Sequence, residues 1–470
     1  MAHPAPPEAG ASGADFPDLI QACPELREAS RVVVAYSGGL DSTVLLYLLH
    51  EAHAQGALTA AVHAIHINHA LQPDANRWQE HCQQACAGLG VPLHTKQVQV
   101  VPAPGESLEE CARNARHAVF ESTLQPGEVL ALAHHRDDQV ETVLFRLLRG
   151  SGVAGLAGMP RSRTCGNGRL FRPLLGCSHA DLLTYAQARR LVWIEDSSNQ
   201  DQRFDRNFLR GAVLPLLLQR WPGLARAVER SAQLSREAAY LLDILAASDF
   251  VAAAGPQSGQ LRIEALLMHD EVRQRNLLRY WLARLHTEHG FAAPTHQVLQ
   301  RIVSDVLQAV PDAEPLLSWG NGANAVELRR HRNLLHVLAP LPALTETLLW
   351  RTDHRLNLPN PLGSLALQVV SGAGLPCDRL AEVHVRFRSG GEQVKAAGRP
   401  TRPLKKILQD AGIPPWLRDR IPLLYVRDEL VAVADLLICE GWLSETAGNT
   451  CQIVWLHPDL DCGHQPHLLT

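Results

Sequence analysis

Val32-Val33-Val34-Ala35-Tyr36-Ser37-Gly38-Gly39-Leu40-Asp41-Ser42 is the stretch on which the reading of this chain turns. A β-branched run ends in Ser-Gly-Gly, and Asp41-Ser42 opens the apolar, helix-compatible run 43–50. The pattern spells a strand, a glycine turn and a helix N-terminus facing one space. Glycines let backbone N–H groups approach an anion closely, and the helix end adds partial positive charge. GxxxxGK[ST] is absent and no lysine lies at or just after the turn, so this is not a Walker A loop. On these residues alone, an ordinary strand-to-helix turn stays open as the alternative.

Outward from the loop, the first 220 or so residues alternate strand-like and helix-like segments, the pattern of a parallel α/β sheet. Strands are expected at 31–35, 60–67, 93–101 and 129–133, with helices to about 54 and over 77–89, 107–124 and 137–148. Ligands of such sheets sit beyond the carboxyl ends of the strands. Three strand ends carry polar groups there: Ser37 to Gly39, then His66, Asn68 and His69, then His134 to Asp138.

The 470 residues suffice for two or three domains, and 46% apolar with 20% charged residues is ordinary for a globular protein. No window approaches 18 uninterrupted apolar residues, so no membrane span is expected. Residues 1–20 are expected to form a disordered leader, since their Ala/Pro/Gly-rich start lacks the basic and apolar parts of a signal peptide. The ten cysteines include no CxxC pair, which reads as a reduced, cytoplasmic chain and argues against a zinc ribbon or paired-cysteine sulfur relay. We expect a catalytic α/β domain over 21–221, a mainly helical middle domain over 222–338 closed by a hairpin at 325–337, a linker with strands over 339–380, and a small α+β domain over 381–470.

Net charge is −4, yet 384–420 holds nine Lys/Arg against three acids, a local +6. Lys405 and Lys406 open a short helix in it, with Trp416 just beyond; a basic patch with a nearby aromatic suits a nucleic-acid backbone, and a solvated charged face is the alternative. His134-His135-Arg136-Asp137-Asp138 runs into Gln139-Val140-Glu141. Asp137 and Glu141 are i,i+4 on one helix face, able to hold Mg²⁺ or a substrate ammonium, while plain capping would also explain Asp137 and Asp138. Arg113 and Arg116 share a helix face suited to phosphate or a base, or to pairing with Glu109 or Glu110. The spacing of His66 and His69 is not HExxH, so they are read as nucleotide-crevice or loop residues rather than zinc ligands. The glycine-rich run 150–158 is either a flap or a simple helix-ending loop.

SGGLDS (37–42) resembles the PP-loop of the ATP pyrophosphatases, which cleave ATP to AMP and pyrophosphate and use the adenylyl group to activate an oxygen. Together with HINHALQP (66–73), ECARNAR (110–116), AHHRDDQVETVLFRLLRGSGVAGLAGM (133–159), RPLL (172–175), WIEDSSNQDQRFDRNFLRGAVLPLL (193–217) and RPLKKILQDAGIPPWLRDRIPLLY (402–425), the chain resembles the tRNA(Ile)-lysidine synthetase family. Ala133 and His117 depart from the family's usual Gly and Tyr.

The resemblance implies a Rossmann-like PP-loop domain followed by tRNA-handling domains, and a two-step reaction on the wobble cytidine of an isoleucine tRNA with a CAU anticodon. ATP adenylates the 2-carbonyl oxygen, and L-lysine then displaces AMP to give lysidine. It also implies site roles. Ser37, Gly38, Gly39, Leu40, Asp41 and Ser42 would hold the phosphates, with Ala35 and His66 beside adenine and Asp41 positioning Mg²⁺. Arg113 would steady the α-phosphate or the cytosine. Asp137 and Glu141, with Asp138, would hold the lysine ammonium or Mg²⁺, and a carboxylate would take the amine proton. Arg206, Arg210, Lys405, Lys406 and Arg418 would meet tRNA, in a monomer or homodimer. A small-molecule PP-loop ligase and a catalytically silent tRNA-binding protein are the rival readings. The basic tail and the absence of a nitrogen-donor domain count against the first, and the retained Asp41, Ser42 and HHRDDQVET run against the second.

Overall fold

A computed structural model describes residues 16–69, 74–99, 108–195, 203, 205–310, 313–341, 344, 347–359, 362–444 and 450–456. The chain divides into two compact units, Met1–Leu242 and Asp243–Thr470.

In the first unit β1 (Arg31–Ala35), β2 (Ala61–Asn68), β3 (Leu93–Gln97), β4 (Glu128–Ala131), β5 (Ser162–Cys165) and β6 (Gly168–Phe171) form one sheet of order β3-β2-β1-β4-β6-β5. All neighbours are parallel except β5, which returns antiparallel along β6. The central strand shows why the valine run is uninterrupted. Val32 and Val34 pack into the cluster on one face, Val33 into a second cluster with Ile65, Leu130 and Leu170 on the other. A parallel strand covered on both sides needs apolar residues at every position.

The expected strands and helices are present within a few residues, with the third strand ending at Gln97 rather than 101. Two features were not anticipated. The β5–β6 hairpin carries only four residues per strand, too few to show a period-two pattern; it turns at Gly166, whose φ is +54° and where a Cβ would lie 2.1 Å from the Glu121 carbonyl oxygen. The expected leader over 1–20 does not extend to its end, because Phe16–Gln21 is a helix with Ile20 1% exposed; residues 1–15 lie outside the described residues. Its Phe16 ring meets Tyr185 edge-on at 5.2 Å, so these apolar residues belong to the core.

The second unit begins within the long helix Leu224–Ala253. Helix Glu271–His289 packs with β7 (Gln260–Arg262), β8 (Leu316–Trp319), β9 (Val326–His331) and β10 (Leu334–Leu338), an antiparallel sheet of order β7-β10-β9-β8 around buried Trp281. The expected hairpin is β9–β10. Beyond it, five-stranded and four-stranded antiparallel sheets share a core with Trp350, Trp442 and Trp455. Trp416, expected beside a nucleic-acid surface, is half-buried and packs against His331 and His336 at 5.9 and 5.1 Å, with Arg329 over its ring at 5.4 Å. Its indole thus joins these substructures.

Candidate active site

The carboxyl ends of β1, β2 and β4 open into a cleft of about 1130 Å³, lined by the Ser37–Ser42 turn and by His66, Asn68, Arg113, His135, Asp137 and Glu141 among others. The turn is built from its own side chains. Ser37 Oγ and Ser42 Oγ lie 3.0 Å apart, Ser42 Oγ donates to the Gly39 carbonyl at 3.1 Å, and the Ser37 amide donates to Ser42 Oγ at 3.3 Å. Gly38 has φ +87°, and a Cβ there would come within 2.8 Å of Ile194 Cδ1 and 3.0 Å of Cys82 Sγ. Gly39 is the N-cap of helix Leu40–Ala54 and offers no capping side chain. The first intrahelical bond is Thr43 N to Gly39 O, so the amides of Leu40, Asp41 and Ser42 precede it, as an anion site requires.

Asp41 is one-third exposed, yet its Oδ1 is buried without a partner, while Oδ2 lies 3.7 Å from His135 Nε2. A buried orphan carboxylate oxygen next to a phosphate-type turn fits Mg²⁺, which prefers one or two carboxylates plus phosphate and water oxygens to an all-protein cage. Among the described residues no group of three or more His, Cys, Asp and Glu is arranged to hold a metal alone.

His66, 5% exposed, bonds the Tyr36 carbonyl through Nδ1 at 2.9 Å, and burial lowers its pKa against that bond. The neutral ring therefore carries its proton on Nδ1 and presents Nε2 as an acceptor.

His135 caps helix Arg136–Leu148. Its Nδ1 accepts the Asp137 amide at 3.2 Å, and Asp138 Oδ2 accepts the His135 amide at 3.0 Å. Burial opposes charge on this ring, but hydrogen bonds with Asp137 and Asp41 and the charge of Asp138 outweigh it and raise its pKa to about 10. The ring cannot fill both roles at once. Accepting the amide requires bare Nδ1 with the proton on Nε2, toward Asp41; the cation surrenders that cap and donates to Asp137. Burial pushes the Asp137 pKa up, yet His135 and the His179 amide, 2.7 Å from Oδ2, hold it at about 2.

Glu141, 3% exposed, is gripped by Arg210: Nε to Oε1 at 2.6 Å and Nη2 to Oε2 at 2.9 Å, with Nη2 also 3.1 Å from Asp138 Oδ1. Burial still raises the Glu141 pKa, against the pull of that guanidinium. The structure thus gathers Asp41, Asp137, Asp138, Glu141 and Arg113 on one cleft. It directs Arg210 onto two of those carboxylates and Arg206 onto Thr142 Oγ1 at 3.1 Å. Residues 70–73 and 196–199 of the sequence motifs lie outside the described residues.

The glycine-rich run is anchored. Arg146 Nη1 donates to the Gly155 and Gly158 carbonyls at 3.0 and 2.8 Å, and the Gln139 amide group bonds both N and O of Met159. In the second unit Lys405 and Lys406 are exposed on helix Leu404–Asp410, while Arg418 Nε donates to Ile413 O at 2.8 Å. Much of the surrounding basic segment is internally paired, Arg388 with Glu392 and Asp419, Arg402 with Asp410. Sequence reasoning assigned no role to Arg172, although it quoted RPLL, nor to His179.

Comparison with known proteins identifies the family to which the chain is similar. The chain matches family models for a PP-loop domain over residues 15–217, a TilS substrate binding domain over 261–336 and a TilS substrate C-terminal domain over 383–455. It is 42% identical over 428 residues to a tRNA(Ile)-lysidine synthase of Coxiella burnetii, covering 90% of this chain and 93% of that one. A Pseudomonas aeruginosa protein of the same name is 44% identical over 429 residues, covering 89% and 92%. A third, from Pseudomonas syringae, is 42% identical over 460 residues, covering 96% and 98%.

Proposed function

The chain belongs to the tRNA(Ile)-lysidine synthase family, and from that premise we propose that its cleft joins L-lysine to C2 of the wobble cytidine of an isoleucine tRNA at the cost of ATP. The observation that carries the reading is the convergence on one cleft of a phosphate-type turn, an orphaned Asp41 oxygen and a buried glutamate of raised pKa.

Helix-end amides at residues 40–42 and the hydroxyl-locked Ser37–Ser42 turn hold the pyrophosphate portion of ATP. Asp41 would hold Mg²⁺ there, and the ion would supply charge neutralisation for the phosphates. His66 Nε2 accepts from the adenine amino group, with Ala35 beside it at the end of the neighbouring strand β1. The cytosine, drawn out of the anticodon stack, attacks the α-phosphorus through O2, and the bond to the departing pyrophosphate breaks. Arg113 faces the charge of that transfer. The lysine ammonium is drawn to Asp137 and Glu141, and a protonated amine cannot attack, so one proton passes to Glu141, whose burial makes it the better acceptor. The neutral Nε attacks C2, the C2–O bond breaks, and AMP leaves with that oxygen. For Glu141 to meet the ammonium, Arg210 exchanges its grip for the incoming cation.

Labelled-lysine incorporation, pyrophosphate release and filter binding test this together. Asp41→Ala is expected to abolish incorporation and leave tRNA affinity within about twofold of wild type. Simultaneous loss of tRNA binding would make the loop a scaffold only. Pyrophosphate release by the wild-type enzyme at equal rate without tRNA would overturn the tRNA assignment.

A further inference from the structure

The cleft carries more arginine than these steps use. Arg113, Arg116, Arg172 and Arg206 line it. Arg163, Arg113 and Arg146 act electrostatically on Arg172, and Arg113 and Arg206 on Arg146, so all six share one neighbourhood. Arg172 is 4% exposed and still reaches the cleft.

Its partners are neutral. Nε donates to His134 Nδ1 at 3.2 Å and Nη1 to the Pro160 carbonyl at 2.8 Å. Arg163 donates through Nη2 to His117 Nδ1 at 3.1 Å and through Nη1 to the Thr164 carbonyl at 3.2 Å. Burial and then the surrounding arginines hold the His117 pKa at about 4, and burial with those arginines, against the opposing charge of Asp138, holds that of His134 at about 4, so neither ring adds charge near neutrality. Among the described residues, no carboxylate oxygen lies within 4.0 Å of the Arg146, Arg163 or Arg172 guanidinium. A guanidinium as deeply buried as that of Arg172, without a counter-charge, is unfavourable unless an anion joins it.

Three anions reach this cleft under the function proposed above. ATP phosphates already have the Ser37–Ser42 turn. Lysine carries two ammonium groups for one carboxylate, so its net positive charge is repelled by a cluster of arginines. An RNA strand brings one phosphodiester per nucleotide and no cation. We propose that Arg163 and Arg172, beside Arg113 and Arg206, form a docking wall for the phosphodiesters flanking the nucleotide that enters the cleft. Arg172 sits at its buried floor, and half-exposed Arg163 stands beside it, held to the cleft-lining His117.

The inference rests on the tRNA reading, and its test separates the two. Binding of a tRNA(Ile) transcript with a CAU anticodon is measured between 50 and 300 mM salt for wild type, Arg163→Gln, Arg172→Gln and Arg172→Lys, alongside the ATP Kd and the lysine KM. Each Gln variant should weaken tRNA binding and flatten the slope of log K against log salt by roughly 0.7 for each phosphate it no longer neutralises, the single-strand value, with Arg172→Lys recovering most of the slope. ATP Kd and lysine KM stay within twofold. An unchanged slope in Arg163→Gln, or a lysine KM that rises while the slope holds, overturns the wall; if Arg172→Gln does not fold, Arg163→Gln decides. A wild-type enzyme that binds no tRNA at any salt overturns the tRNA reading itself.

Discussion

Gly38 is the residue on which the phosphate-binding turn depends. Its φ of +87° is a conformation that side chains rarely adopt, and a Cβ would press on Ile194 and Cys82. Gly38 O also accepts the Ile194 amide at 2.8 Å, tying the turn to the chain leading into the motif near 196. Gly38→Ala should therefore cost about 1–3 kcal/mol, read by urea denaturation, and raise the ATP Kd several-fold. An alanine variant with unchanged Cm and ATP affinity would show that the turn relaxes freely. Most of these residues were legible beforehand, because a glycine pair between a β-branched run and an apolar run has few other uses. What the string of letters left open was the pairing of charges. Asp137 and Glu141 share a helix face by spacing alone. That Arg210, 69 positions beyond Glu141, would take hold of that carboxylate depended on the path of the intervening chain.

Helices are the elements that aim these groups. Helix Arg136–Leu148 starts in a capping box of His135 and Asp138, so the capping expected of this acidic pair is met by Asp138, and the residues proposed for the site also fix the start of the helix. Helix Leu40–Ala54 is steadied from behind: Glu51 accepts from Arg189 Nε and Nη2 at 2.8 and 3.0 Å and from Tyr185 Oη at 3.0 Å, linking it to helix His179–Ala188. The Arg189 guanidinium, against some burial, lowers the Glu51 pKa. A carboxylate depressed in the folded state stabilises above its unfolded pKa of about 4.3, and that contribution is lost as pH falls through the folded value. Glu51→Gln should therefore lower Tm at pH 7, with the gap to wild type closing toward pH 3. Both partners are about one-third exposed, so the effect should be on the order of 1 kcal/mol or less. A Tm gap constant with pH would refute the linkage. The β5–β6 hairpin escaped sequence reading for the opposite reason to the helices: four-residue strands carry no periodicity, and only pairing with β4 makes them strands.

Along the chain, charge is unevenly spread. The local +6 of 384–420 is reduced by internal ion pairs, leaving exposed Lys405 and Lys406 as the clearest surface for a nucleic-acid backbone. Lys405→Glu with Lys406→Glu should flatten the tRNA salt slope by roughly 1.4 to 1.8 if each lysine meets one phosphate, while the ATP Kd stays fixed; an unchanged slope would make the two lysines a solvated face. Among the described residues no helix is long and apolar enough to cross a membrane. Sequence alone determined the parallel α/β sheet, the phosphate turn, the carboxylate-bearing helix and the basic tail, because each is written in local periodicity, glycine placement or composition. Only tertiary structure decided that Phe16 and Ile20 belong to the core, that Trp416 packs with His331, His336 and Arg329, that Arg210 grips Glu141, and that, among the described residues, Arg163 and Arg172 have no carboxylate beside them. Those outcomes depend on which distant residues meet once the apolar faces are buried, and no local pattern encodes them.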